Sequence, residues 1–176
     1  MIAPALDAVP AESGYHQVME IYILRHGIAE EPTSGKPDAD RALTDTGREK
    51  LRTVLQRAHS AGVKPSLILT SPYRRAAQTA HIAGQVLGCD KIVENPVLVP
   101  DSAPKAVWEA ICARRREPAI LIAGHEPLLG MTVAFLLGTP ALEIDFKKAT
   151  LVRIDQESFG PSPHGLLKWM LTPRLV

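Results

Sequence analysis

Two histidines and up to three arginines stand where their chemistry could be used. Arg25-His26 closes the apolar run Met19–Leu24, and Gly124-His125 closes Ala119–Ala123. Between them, Ser66–Thr70 runs into Ser71-Pro72-Tyr73-Arg74-Arg75. Cations do not gather for stability, because like charges repel. They gather to receive an anion, and the planar fork of arginine matches a tetrahedral oxyanion with paired hydrogen bonds. One histidine of such a group is free to attack phosphorus, and the other can donate to the phosphoryl oxygens. Arg74, beside Arg75, reads instead as a solvated residue at a helix start.

The elements that must position these residues follow from length and pattern. The three apolar runs are short and rich in β-branched residues, which fits buried strands. Lys91–Glu94 is a further short strand candidate, and Thr150–Ile154 and Leu166–Leu171 read as closing strands. The spacing predicts a helix capped by Thr44 or Thr46, with Leu51, Val54, Leu55 and Ala58 on one face and Gly62 at its end. A second helix follows Arg75, with Ala76, Ala80, Ala83 and Leu87 on one face. A third is expected from Asp101 or Ser102 through Arg116, with Pro104 in its first turn, and a fourth over Pro127–Leu137. Glu31–Asp40 is rich in Pro, Gly and Asp and reads as loop. Strands alternating with helices imply an α/β three-layer sandwich, with helices on both faces of a mostly parallel sheet. Ligands bind such sheets beyond the carboxyl ends of the strands. Arg25-His26, Ser71 with Arg75, and His125 would therefore meet at one rim.

Composition narrows the classes. The chain has 176 residues, of which 45% are hydrophobic and only 5% aromatic, so aliphatic side chains must fill a core. Residues 19–176 are expected to form one domain, preceded by a flexible tail over residues 1–18. Twenty Lys plus Arg against 19 Asp plus Glu give a net charge of +1. That balance gives no general reason to expect nucleic acid or an anionic membrane as partner. No apolar run is long enough to span a bilayer, and the first residues lack the pattern of a secretory signal, so the expected compartment is the cytoplasm. Cys89 and Cys112 lack ligand spacing and read as two ordinary buried thiols. Arg114-Arg115-Arg116 and Lys147-Lys148 read as surface charge, and His16, His59, His81 and His164 have no motif context. Trp108 and Trp169 read as packing.

With the residues in this order, Leu24-Arg25-His26-Gly27 resembles the RHG motif of the histidine phosphatase superfamily. The stretch Ser71 to Ala80, SPYRRAAQTA, is similar to its SPxxRAxQTA segment. Arg41-Ala42-Leu43-Thr44-Asp45-Thr46-Gly47 resembles its RxLTxxG segment, and Gly124-His125 its second-histidine motif. The short chain, with no room for a large cap, resembles the SixA-like phosphohistidine phosphatase branch in particular. The resemblance implies a phosphoglycerate-mutase-like fold, with His26 as a nucleophile that forms a phosphohistidine. It implies that Arg25, Arg75 and His125 hold the phosphoryl oxygens, and that Arg41 adds a phosphate contact. No cofactor is called for, and a metal would be redundant beside so many cations. Neighbouring Arg charges should disfavour protonation of His26 and keep its nitrogen available.

The leaving group is less well marked. Glu94 and Asp101, after the Lys91–Glu94 strand, are the candidate general acids, though each also fits an ordinary loop or cap position. An alkoxide needs a proton in the transition state, whereas protonated phosphohistidine leaves as neutral imidazole. A site without a firmly placed acid therefore favours phosphohistidine on a partner protein as substrate. The alternatives are a phosphatase, or less readily a mutase, for small phosphomonoesters, and a catalytically idle phosphate- or phosphoprotein-binding module.

Overall fold

The computed structural model describes residues 18–175. Most of the expected tail, residues 1–17, lies outside the described residues. Six strands, β1 (Met19–Arg25), β2 (Leu67–Thr70), β3 (Ile92–Glu94), β4 (Ala119–Gly124), β5 (Leu151–Gln156) and β6 (Leu166–Leu171), form one sheet in the order β3-β2-β4-β1-β5-β6. The pairings β3/β2, β2/β4 and β4/β1 are parallel, and β1/β5 and β5/β6 are antiparallel.

The central strands are apolar on both sides because both sides are covered. Along β1, Met19, Ile21 and Ile23 enter one core while Tyr22 and Leu24 enter the other. Along β4, Ile120 and Ile122 alternate in the same way with Leu121 and Ala123. That is the period-2 signature of a doubly covered strand. One face carries α1 (Asp45–Ser60) and α2 (Arg74–Leu87), through Leu51, Val54 and Leu55 and through Ala80, Ala83 and Leu87. The other carries α3 (Pro104–Cys112) and α4 (Leu128–Leu136), through Val107, Trp108 and Ile111 and through Leu129 and Val133. Each buried Leu or Ile is worth about 1.5–3 kcal/mol relative to exposure. These two cores thus hold the strand ends in place.

Thr44 caps α1, accepting a hydrogen bond from Gly47 N at 3.0 Å, as one of the two expected caps. The third helix differs from expectation. It starts at Pro104 behind Ala103, not behind Asp101 or Ser102, and it ends at Cys112, short of Arg116. Its continuation meets three consecutive arginines and then Glu117-Pro118. The face of Val107, Trp108 and Ile111 continues only in Arg114 and Arg115, which bring nothing apolar to bury, and the chain tightens into turns, with Arg114 N bonding Ile111 O and Arg115 N bonding Cys112 O. The two cysteines are free thiols, Cys89 buried and Cys112 half-buried.

Candidate active site

The strand order makes β2, β4 and β1 consecutive neighbours, all parallel, so their carboxyl ends lie side by side. The ladder continues past the strands: Ser71 N donates to Ala123 O, and His26 N to Gly124 O, each at 3.0 Å. That fixes Ser71, His125 and His26 as neighbours on one rim. The His26 and His125 ring centroids are 5.0 Å apart. Both rings are buried, His26 at 6% exposure and His125 at 1%. Arg75, from the first turn of α2, is 4% exposed, although its charge would ordinarily keep it in water.

The hydrogen bonds settle the His26 tautomer. Arg75 Nε lies 3.3 Å from His26 Nε2 and can only donate, so Nε2 carries a lone pair. Nδ1 lies 2.7 Å from Gly27 O, which can only accept, so Nδ1 carries the proton. A neutral imidazole with an unprotonated Nε2 thus faces the guanidinium. Burial pushes the His26 pKa down to about 4, and the charges of Arg75, Arg25 and Lys148 add to this. The arginines contribute as expected, but the larger cause is desolvation. His125 is pushed down to about 3, first by burial, then by His26 and Arg75. Its Nε2 lies 2.9 Å from Ser71 Oγ, and the Tyr73 ring stands edge-on at 5.1 Å.

The remaining motif residues hold this arrangement rather than touch its centre. Thr79 Oγ1 accepts from Gly27 N at 3.3 Å and donates to Arg75 O at 2.8 Å, tying α2 to the loop after His26. Gln78 Oε1 accepts from Leu43 N at 2.8 Å, tying α2 to the start of α1. Gly47 must be glycine because of close approach: a Cβ there would sit 2.1 Å from Ile28 O. The backbone after the RHG segment thus rests directly on the first turn of α1.

The structure adds a carboxylate that sequence reasoning missed. Asp38, in the one-turn 3-10 segment Asp38–Asp40, sits between two of the guanidinium groups. Its Oδ2 accepts from Arg75 Nη2 at 2.8 Å and its carbonyl from Arg75 Nη1 at 2.7 Å. Its Oδ1 accepts from Arg41 Nε at 2.7 Å. Arg41 Nη1 in turn donates to Glu30 O at 2.7 Å. Burial works to raise the Asp38 pKa, but the bonds and charges of Arg75 and Arg41 prevail and hold it below the usual carboxylate range. The signal available in sequence was an aspartate three residues before Arg41, which a single tight turn brings onto the same side.

Arg25 anchors its Nη1 on Phe146 O. Four buried side-chain polar atoms lack a partner among the described residues, and two of them belong to this rim: Arg25 Nε and His125 Nδ1. Glu94 ends the edge strand β3 and is exposed, and Asp101 is exposed in the turn before α3. Neither bonds to the cluster. Arg74, His59, His81 and His164 are exposed, and among the described residues none of them hydrogen-bonds to the cluster. Trp108 packs, stacked on Phe159 with its Nε1 donating to Gly160 O. Among the described residues, no group of three or more His, Cys, Asp or Glu is arranged to hold a metal, and no helix is long and apolar enough to cross a membrane.

Comparison with known proteins places the chain among relatives of one superfamily. A family model for the histidine phosphatase superfamily (branch 1) matches residues 21–98. An uncharacterized protein of Picosynechococcus sp. is 34% identical over 141 residues, covering 76% of this chain and 83% of that one. The phosphohistidine phosphatase SixA of Escherichia coli is 28% identical over 160 residues, covering 88% and 94%. The solved structure of the protein histidine phosphatase SixA complexed with tungstate superposes with a TM-score of 0.79 at 25% identity, covering 89% of this chain and 98% of that one.

Proposed function

The chain belongs to the histidine phosphatase superfamily, in its SixA-like branch, and from that premise we propose that it hydrolyses phosphohistidine in a partner protein through a covalent intermediate on His26. The observation that carries this reading is the buried, neutral His26, whose Nε2 lone pair is held beside the Arg75 guanidinium.

The chemistry follows from that placement. The Nε2 lone pair attacks phosphorus and forms a P–N bond as the bond to the substrate imidazole breaks. That imidazole, already protonated on its other nitrogen, leaves neutral and needs no acid. Water then attacks the phosphorylated His26, Nε2 recovers its electron pair, and the proton of the water passes to the phosphate product. The transferring group spreads its charge over three oxygens, and preorganised donors in a dry site stabilise it. Arg75 supplies the Nε edge that already faces His26 Nε2. Among the described residues Arg25 Nε and His125 Nδ1 are buried without a partner, and a phosphoryl oxygen satisfies each. For His125 this requires Ser71 Oγ to donate to Nε2, so that Nδ1 bears the proton. Arg41 is the outermost proposed contact, reached past Asp38.

Asp38 completes the design as a positioning residue. It occupies the Nη1/Nη2 end of Arg75 and leaves the Nε/Nη2 edge toward His26. Held ionised between two arginines, it is unsuited to donate a proton. Because Arg and His supply the positive charge, the reaction proceeds without a metal ion.

The test is a pair of assays run in EDTA, one with a protein phosphorylated on histidine and one with a chromogenic aryl phosphate. The first should be dephosphorylated rapidly and the second hydrolysed more slowly. No dephosphorylation of the histidine protein beside brisk hydrolysis of phosphomonoesters would refute the substrate class. Loss of both activities on chelation, with recovery on adding a divalent ion, would refute metal independence.

A further inference from the structure

Beside the reaction centre lies a second concentration of positive charge, of which the chemistry above uses only Arg25. A cavity of about 420 Å³ opens next to Arg25 and is lined by Lys50 of α1, by Lys147 and Lys148 before β5, and by Arg174 after β6, over an apolar wall that includes Ile28. Five cations from four parts of the chain thus face one space. The chain as a whole has a net charge of only +1, so this is a local arrangement and not a consequence of composition. Two carboxylates answer the five cations: Asp145 pairs with Lys147 at 2.8 Å, and Glu126 and Asp145 both act on the charge of Arg25. Arg25, Lys50, Lys148 and Arg174 make no ion pair among the described residues. The cavity borders the site at Arg25, the residue before His26, and the charge of Lys148 is felt at the His26 ring.

Repulsion among these groups costs stability, and an anion relieves it. The kind of anion follows from the residue types. A second phosphoryl group asks for convergent, forked donors, as Arg75 and Arg25 supply at the centre. Here three of the four outer cations are lysines, exposed point charges on flexible stems, spread over separate elements. Dispersed ammonium groups suit dispersed carboxylates, and an apolar wall suits the carbon of a peptide. We propose that this pocket is a substrate-docking subsite, which receives acidic side chains flanking the phosphorylated residue of a protein substrate. The proposal deepens the phosphohistidine reading and rests on it.

Binding tests it without depending on turnover. Fluorescent peptides carrying a non-hydrolysable phosphohistidine analogue, flanked by Glu or by Gln, are titrated at low salt by anisotropy into wild type and into the Lys50→Glu/Arg174→Glu double variant. Both substituted residues are exposed, and thermal unfolding checks that the variant is folded. For wild type, the Glu-flanked peptide should bind at least tenfold more tightly than the Gln-flanked one. In the double variant, and for wild type at high salt, the gap should close to about twofold or less. Equal affinities in wild type, or a gap that survives in the double variant, overturns the subsite. A small bisphosphate that binds wild type more tightly than the Glu-flanked peptide, and is lost in the double variant, overturns the choice of occupant. Failure of the phosphohistidine reading itself would appear in the turnover assays, with this binding comparison unaffected.

Discussion

Acidification should destabilise this protein well above the pH at which its carboxylates protonate, and the cause is the pair of buried imidazoles. His26 and His125 have pKa values pushed down to about 4 and about 3, against 6.5 for an ordinary imidazole. In the unfolded chain both rings take up protons as the pH falls through that ordinary value. In the native state they do not until it falls much further. The unfolded state therefore binds more protons between those limits, and stability is lost as pH falls through that window. Each ring contributes a loss of about 2 kcal/mol between about pH 8 and about pH 5, or ~4 kcal/mol for the two. That is a large part of the 5–15 kcal/mol typical of a whole domain. Glu126, whose pKa burial raises, acts in the opposite direction, so the contribution is isolated by difference. Urea unfolding of wild type, His26→Gln and His125→Gln should be compared at the two pH values, in a buffer without phosphate or other oxyanions. Each substitution should shrink the pH-dependent change by about 2 kcal/mol. Variants that keep the full wild-type dependence would show that the rings are not desolvated in the native state, and the argument for a permanently neutral His26 would fail.

Asp38→Ala removes a charge-assisted bond from Arg75, of a kind worth about 1.5–3 kcal/mol. It should lower kcat about tenfold or more with little change in KM, read from steady-state kinetics. A fall in KM with kcat unchanged would show that Asp38 competes with substrate and does not position Arg75. Gly47→Ala places a Cβ against Ile28 O, and overpacking of this kind costs about 1–3 kcal/mol. Denaturant unfolding should show that loss, together with reduced activity because Ile28 lies two residues from His26. The substrate order in kcat/KM should be phosphohistidine, then aryl phosphate, then alkyl phosphate. Glu94→Gln and Asp101→Asn, both at exposed positions, should leave the first value within about twofold. Selective loss of alkyl phosphate hydrolysis in either variant would reveal a general acid.

Much of this molecule is legible in its sequence because the three central strands are short, largely apolar runs that end in chemically loaded residues. Arg25-His26, Ser71 and His125 follow runs too short for helices, and the rule for parallel sheets is enough to bring them to one rim. What sequence reasoning missed depends on irregular backbone. Asp38 sits in a loop whose composition announces only that it is a loop, and its partner Arg75 is 37 residues away. The early end of α3 follows from its apolar face running out: beyond Val107, Trp108 and Ile111 the next positions on that face are Arg114 and Arg115, and the expectation of a helix through Arg116 read them as a charged helix end. The roles of Gln78 and Thr79 lie in bonds to the backbone of Leu43 and Gly27, and such bonds leave no periodic trace. Lys50, Lys147, Lys148 and Arg174 are ordinary surface charges until the fold sets them around one cavity.

The covalent intermediate on His26 can be measured directly. Enzyme is mixed with substrate bearing a radiolabelled phosphoryl group and quenched during turnover, in alkali and in acid. The account predicts protein-bound label that survives alkali and is lost in acid, as phosphohistidine is, and that is absent from His26→Ala. Label retained by His26→Ala, or undiminished turnover by that variant, would contradict it.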